Sequence, residues 1–249
     1  MIIAIASQKG GSGKTTTSLQ LSAGLGLQGK KVLLIDLDSQ ANSSKVLISE
    51  YLELKKQDTA WITIIERQPL PIHKSNFQNV WVAPSHILMS ETDLELTTAM
   101  DHREARLKNQ LLKVVDQFDH VIIDCPPALG WLTLNAFTAA EGVIVPVSPG
   151  YFELDSLTQI SKTLARVQTD FNPDIVLLGL LFTMSDPTVA STTTLEVLRN
   201  TYGDSLFSAI IPRNTVVRDA HFNKQDIFTA FPQSKAAKAY IKLIEELKL

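Results

Sequence analysis

Seven short apolar runs punctuate the chain, at residues 2–6, 32–35, 80–83, 121–123, 143–147, 175–182 and 209–211. They are near-continuous rather than alternating, the pattern of parallel strands covered on both faces. Stretches with helical spacing lie between them, at 15–27, 94–117, 133–140, 154–169, 193–202 and 235–247. Strand–helix alternation over the whole length predicts an α/β fold: a doubly wound, mostly parallel sheet flanked by helices, in a single domain spanning 1–249. Residues 43–79, with Pro69 and Pro71, are the least regular and read as a peripheral helix and loops.

Composition narrows the class. Of 249 residues, 45% are hydrophobic and 20% charged, which suits a globular protein with a sizeable core. The longest apolar runs reach about ten residues, half of what a membrane-spanning helix needs. Met1 leads directly into an apolar strand with no basic region before it, so the expected location is the cytoplasm, with no membrane partner. The lone Cys125 excludes an intrachain disulfide. Net charge is −3, but residues 199–249 carry +3 against −6 for the remainder. That contrast is either an anion-binding face or the solvated outer side of a last helix.

The chemistry concentrates between the first strand and the first helix, at Gln8-Lys9-Gly10-Gly11-Ser12-Gly13-Lys14-Thr15. Glycines there let backbone N–H groups turn inward to phosphate oxygens, and the following helix N-terminus adds partial positive charge. By the general phosphate-loop pattern, Lys14 reaches β- and γ-phosphates, the Thr15 hydroxyl ligates Mg²⁺, and Thr16 contacts the α-phosphate. Gln8 stands where that pattern has its first glycine, and Lys9 supplies a second cation. A second buried strand ends in Asp36 and Asp38, two residues apart and so on one face if the strand continues. Acids at the carboxyl ends of such strands can hold a water or a metal shell, although either can also serve only as a cap or turn residue. A third strand ends in Asp124, before Pro126-Pro127.

The run Lys9-Gly10-Gly11-Ser12-Gly13-Lys14-Thr15 resembles the deviant Walker A box of the ParA/MinD ATPases, and the pattern from Asp119 to Leu157 follows the ParA (Soj-like) branch. The resemblance implies an ATPase using ATP and Mg²⁺ that closes into a nucleotide-sandwich homodimer. Lys14 would serve its own nucleotide and Lys9 the partner's. Asp36-x-Asp38-x-Gln40 is similar to the family's second motif, with Ser39 where proline is usual. That match implies that Asp38 positions the hydrolytic water and Asp36 supports the metal site. Asp124 resembles the Walker B acid beside Mg²⁺. Two distal loops, containing Met184 and Pro212-x-Asn214, would hold adenine. Arg218 matches a position used for non-specific DNA binding, with Lys224, Lys235, Lys238 and Lys242 as further phosphate contacts. Thr188 stands near where a second basic residue is expected, and one extra residue separates Asn214 from Arg218.

The implied function is an ATP-dependent partitioning or positioning ATPase. Its dimer would bind the nucleoid, and a ParB-like partner would stimulate hydrolysis. Its cargo would be a plasmid, a chromosome or a protein body such as a carboxysome. The alternative is a MinD-like, membrane-associated regulator of division, whose branch carries an amphipathic tail not seen after residue 247. An iron-protein-like reductase is excluded, since it needs two cysteines per subunit. The two-lysine loop disfavours a small-molecule ligase of the dethiobiotin synthetase type.

Overall fold

The computed structural model describes residues 1–150 and 153–249. Tyr151 and Phe152, inside the ParA-like stretch, lie outside the described residues. Seven strands form one sheet: β1 Ile2–Ile5, β2 Val32–Asp36, β3 His73–Lys74, β4 Val80–Ala83, β5 His120–Asp124, β6 Gly142–Val147 and β7 Val176–Phe182. Their order is β3-β4-β2-β5-β1-β6-β7, parallel throughout except for β3 against β4. The helices are α1 Lys14–Leu27, α2 Asn42–Leu47, α3 Ala60–Ile65, α4 Met89–Thr98, α5 Arg106–Leu111, α6 Trp131–Ala139, α7 Glu153–Asp170, α8 Val189–Tyr202, α9 Thr215–Phe222, α10 Ile227–Ala230 and α11 Lys235–Leu247.

Both faces of the sheet are apolar, which is why its strands read as unbroken hydrophobic runs. On β1, Ile2 and Ala4 pack toward α3 to α8, while Ile3 and Ile5 pack toward α1, α2 and α9 to α11. Leu19, Leu21 and Leu25 of α1 are fully buried against the second face, each worth about 1.5–3 kcal/mol of burial. On α11, Ala236, Ala237, Tyr240, Leu243 and Ile244 fill the same layer. Parallel strands all point one way, so the ends of β1, β2 and β5 converge on one edge, where the motifs lie.

Two expected elements differ. Residues 209–211 are not a strand. The segment approaches β7 through single bridges, Leu180 with Leu206 and Ser185 with Pro212. Between them the carboxylate of Glu246 on α11 accepts from the amides of Ser208 (2.8 Å) and Ala209 (3.1 Å), taking donors a ladder would use. The seventh strand is instead the short antiparallel β3. The single helix expected over 94–117 is broken into α4, α5 and a 3-10 turn at Val115–Gln117. Arg103 closes the end of α4 by donating to the carbonyls of Leu96 and Ala99, and Met100 in the connection is fully exposed.

His120 opens β5 at the edge far from the motifs. Its ring is buried and neither nitrogen has a hydrogen-bond partner. Burial, the N-terminal amine and Lys30 hold its pKa below the ordinary 6.5. The unfolded chain therefore takes up a proton first as pH falls, and stability is lost below about pH 6.5. Replacing the ring removes a buried polar group that lacks a partner. His120→Phe should raise unfolding stability by about 1 kcal/mol at neutral pH, with a wider margin near pH 5. Denaturant unfolding at both pH values checks this; a less stable variant at both would contradict it.

Candidate nucleotide-binding and hydrolysis site

The chain leaves β1 and turns into α1 through two glycines in the left-handed region, Gly11 (φ +77°) and Gly13 (φ +92°), where side chains are strained. Helix α1 has neither a side-chain cap nor an acid in its first turn. Its leading N–H groups are left for an anion. Lys14 is buried and its ammonium donates to the Lys9 carbonyl at 3.1 Å. Burial lowers its pKa, while Asp124 and Asp38 pull it back up. The Thr183 hydroxyl at the end of β7 donates to the Ser12 carbonyl at 2.7 Å and holds the loop against the sheet.

Strand register puts Asp36 directly beside Asp124 at the ends of β2 and β5. Both are buried, and their surroundings differ. Asp36 Oδ2 accepts from the Ser44 amide (2.9 Å) and hydroxyl (2.7 Å), and Oδ1 from the Asp38 amide (3.1 Å). Asp124 Oδ2 accepts from the Ser43 hydroxyl at 2.6 Å, whereas Oδ1 is buried with no hydrogen-bond partner. Burial and the charge of Asp124 push Asp36 up to about 8. Burial pushes Asp124 up to about 6, moderated by the hydroxyls of Ser43 and Thr15 and by Lys14. Two adjacent buried acids cannot both ionise cheaply without a cation beside them.

That donor set suits magnesium. Among the described residues no cluster of three or more His, Cys, Asp or Glu side chains could cage a metal. Magnesium does not require one, because it keeps several waters and leans on phosphate oxygens. The Thr15 hydroxyl and the unpartnered oxygen of Asp124 are the fitting groups. Asp36 is taken up by Ser44 and Asp38, so it braces the loop behind them.

Asp38 is half-buried, and its Oδ1 accepts from the Gln40 amide at 2.9 Å. It lines a cavity of about 330 Å³ with Gly10, Gly11, Gly13, Lys14, Thr15 and Thr16. Gln40, Asn42 and Pro127 complete that wall. A second cavity, of about 530 Å³, shares Gly13, Thr16 and Met184 with the first. Pro212 and Asn214 line it, with Arg218, His221 and Tyr240. Ser43 and Ser44 lie on α2, within the stretch read as a peripheral helix and loops, and carry no motif; nor do His221 and Tyr240.

The expected DNA contacts are placed unevenly. Arg218 is exposed and borders the second cavity. Lys235 and Lys238 are exposed on α11. Lys242 donates to the Ser208 carbonyl at 2.9 Å. Lys224 is engaged in the fold: its ammonium donates to the carbonyls of Ile48 (3.1 Å) and Ser49 (2.6 Å), just past α2. Two of its three donors are thereby occupied.

A family described as AAA domain matches residues 1–177. The sporulation initiation inhibitor protein Soj of Bacillus subtilis is 37% identical over 248 residues, covering 99% of this chain and 97% of Soj. The chromosome partitioning protein ParA of Myxococcus xanthus is 34% identical over 253 residues, covering 99% and 87%. The chain belongs to the Soj/ParA family of P-loop ATPases. The structure of cobyrinic acid a,c-diamide synthase from Mycobacterium smegmatis, with an ATP analog and magnesium bound, superposes with a TM-score of 0.82. It shares 32% identity, over 98% of this chain and 92% of that one. This Soj/ParA-type chain thus shares its fold with a protein whose structure holds an ATP analog and magnesium.

In this Soj/ParA-type ATPase, Lys224→Met should cost about 1 kcal/mol of stability by releasing the end of α2. Denaturant unfolding checks this; unchanged stability in the variant would contradict it.

Proposed function

We propose that residues 1–249 act as one partitioning or positioning ATPase domain. The protein closes with ATP into a homodimer, binds DNA without sequence preference, and is triggered to hydrolyse by a ParB-like partner. Its location would be the nucleoid in the cytoplasm, and its cargo a plasmid, a chromosome or a protein body. The observation that carries this reading is the glycine-rich loop with Lys14 and Thr15 lining one cavity with Asp38, together with a buried oxygen of Asp124 that has no partner.

In this reading Lys14 neutralises the nucleotide's β- and γ-phosphates in its own subunit. Lys9 does so for the partner's nucleotide, which couples charge neutralisation to dimer closure. The backbone of Gly10 to Gly13 cradles the phosphates, and Thr16 contacts the first of them. Thr15 and Asp124 would hold magnesium, with Asp36 in support; when bound, the ion supplies charge neutralisation at the transferring phosphate. Asp38 accepts a hydrogen bond from the attacking water and aligns it with the γ-phosphorus. Such catalysis is mostly positioning. Pro212 and Asn214 bound the adenine cavity. Arg218, Lys235, Lys238 and Lys242 face DNA phosphates, while Lys224 stays with α2.

Asp38→Ala should abolish phosphate release, by at least about 100-fold, while ATP-dependent dimerisation persists. Near-normal release would remove Asp38 from its assigned role. Fluorescence anisotropy with a random-sequence duplex separates the matrices. Tight, salt-sensitive binding with ATP, absent with ADP, is the expected result. No DNA binding together with ATP-dependent pelleting on liposomes would instead favour the MinD-like alternative.

A further inference from the structure

His221 lies on α9 in the wall of the larger cavity and belongs to no motif. Its neighbours determine its tautomer. The Ile227 amide N–H donates to Gln20 Oε1 at 3.1 Å, and only an oxygen can accept there. The other end of the Gln20 amide is therefore the NH₂ group. That nitrogen stands 3.0 Å from His221 Nε2. An NH₂ group only donates, so Nε2 must accept, and the ring proton belongs on Nδ1.

An imidazolium would set a second donor against the Gln20 NH₂, and burial pushes the His221 pKa down to about 4. The ring is thus held neutral in one tautomer at physiological pH. Among the described residues, no protein acceptor engages Nδ1. A network of three groups, drawn from α1, α9 and the start of α10, fixes one donor on a ring that lines a cavity beside the phosphate loop. Such a donor complements a ring nitrogen bearing a lone pair.

We propose that His221 is a specificity residue for the nucleotide, donating its Nδ1–H to a ring nitrogen of the adenine base, with Gln20 holding the tautomer. This rests on the reading of that cavity as the base pocket. The donor is preorganised, so little rotamer freedom is lost when the base arrives. One such hydrogen bond is worth about fivefold in affinity.

The test is calorimetric binding of Mg·ADP and its 1-deaza, 3-deaza and 7-deaza analogues to the full-length chain, wild type and His221→Phe. Each analogue replaces one ring nitrogen with C–H. The proposal expects one analogue to bind the wild type about fivefold more weakly than ADP, and that difference to vanish in His221→Phe. Equal binding of all four ligands to the wild type, or the same analogue pattern in both proteins, overturns it. A fifth ligand separates the underlying reading: if base-free ribose 5′-diphosphate binds the wild type as tightly as ADP, the cavity is not a base pocket. Should His221→Phe fold poorly, ¹⁵N spectra of the wild-type histidines decide. A protonated Nδ1 resonance that shifts with ADP but not with the sensitive analogue supports the contact. A response identical for both ligands overturns it.

Discussion

Two carboxylates forced side by side at the ends of neighbouring strands set the terms for the rest of the site. The register that pairs Asp36 with Asp124 follows from sheet packing, and it leaves two acids buried within one strand spacing. Everything around them answers that charge. Ser44 and the Asp38 amide satisfy Asp36, Ser43 satisfies half of Asp124, and Lys14 supplies a nearby cation. One oxygen of Asp124 is left over. A protein interior tolerates such an oxygen when the functional state brings it a partner. Under the proposed function, magnesium bound with ATP would provide one, and a structural cost would become a binding determinant.

The same logic links the site to the outer layers. Ser43 and Ser44 belong to α2, whose far end is held by Lys224 from beyond α9. Helix α9 in turn forms one wall of the larger cavity and is tied to α1 through His221 and Gln20. The phosphate loop, the carboxylates and the cavity beside them are therefore parts of one hydrogen-bonded frame. That arrangement suits an enzyme whose catalysis is positioning.

Much of this was legible in the sequence because its causes are local. Buried parallel strands must be continuously apolar, and a phosphate cradle needs glycine where φ is positive, so β1, β2, β4 to β7 and the loop from Lys9 to Thr15 were visible directly. What escaped depends on distant partners. Residues 209–211 have the composition of a strand, but Glu246 captures two of the adjoining amides. The roles of Ser43, Ser44 and His221 come from tertiary juxtaposition, and a serine or histidine without a motif carries no sign of it. The two carbonyls that engage Lys224 are likewise supplied only by the fold.

The central claim is that the second lysine joins two subunits around ATP. Light scattering of the wild type and of Lys9→Ala, each with ATP and Mg²⁺, tests it most directly. The account predicts a dimer for the wild type only with ATP, and a monomer for Lys9→Ala under all conditions despite retained nucleotide binding. An ATP-dependent dimer of Lys9→Ala, as stable as that of the wild type, would contradict it.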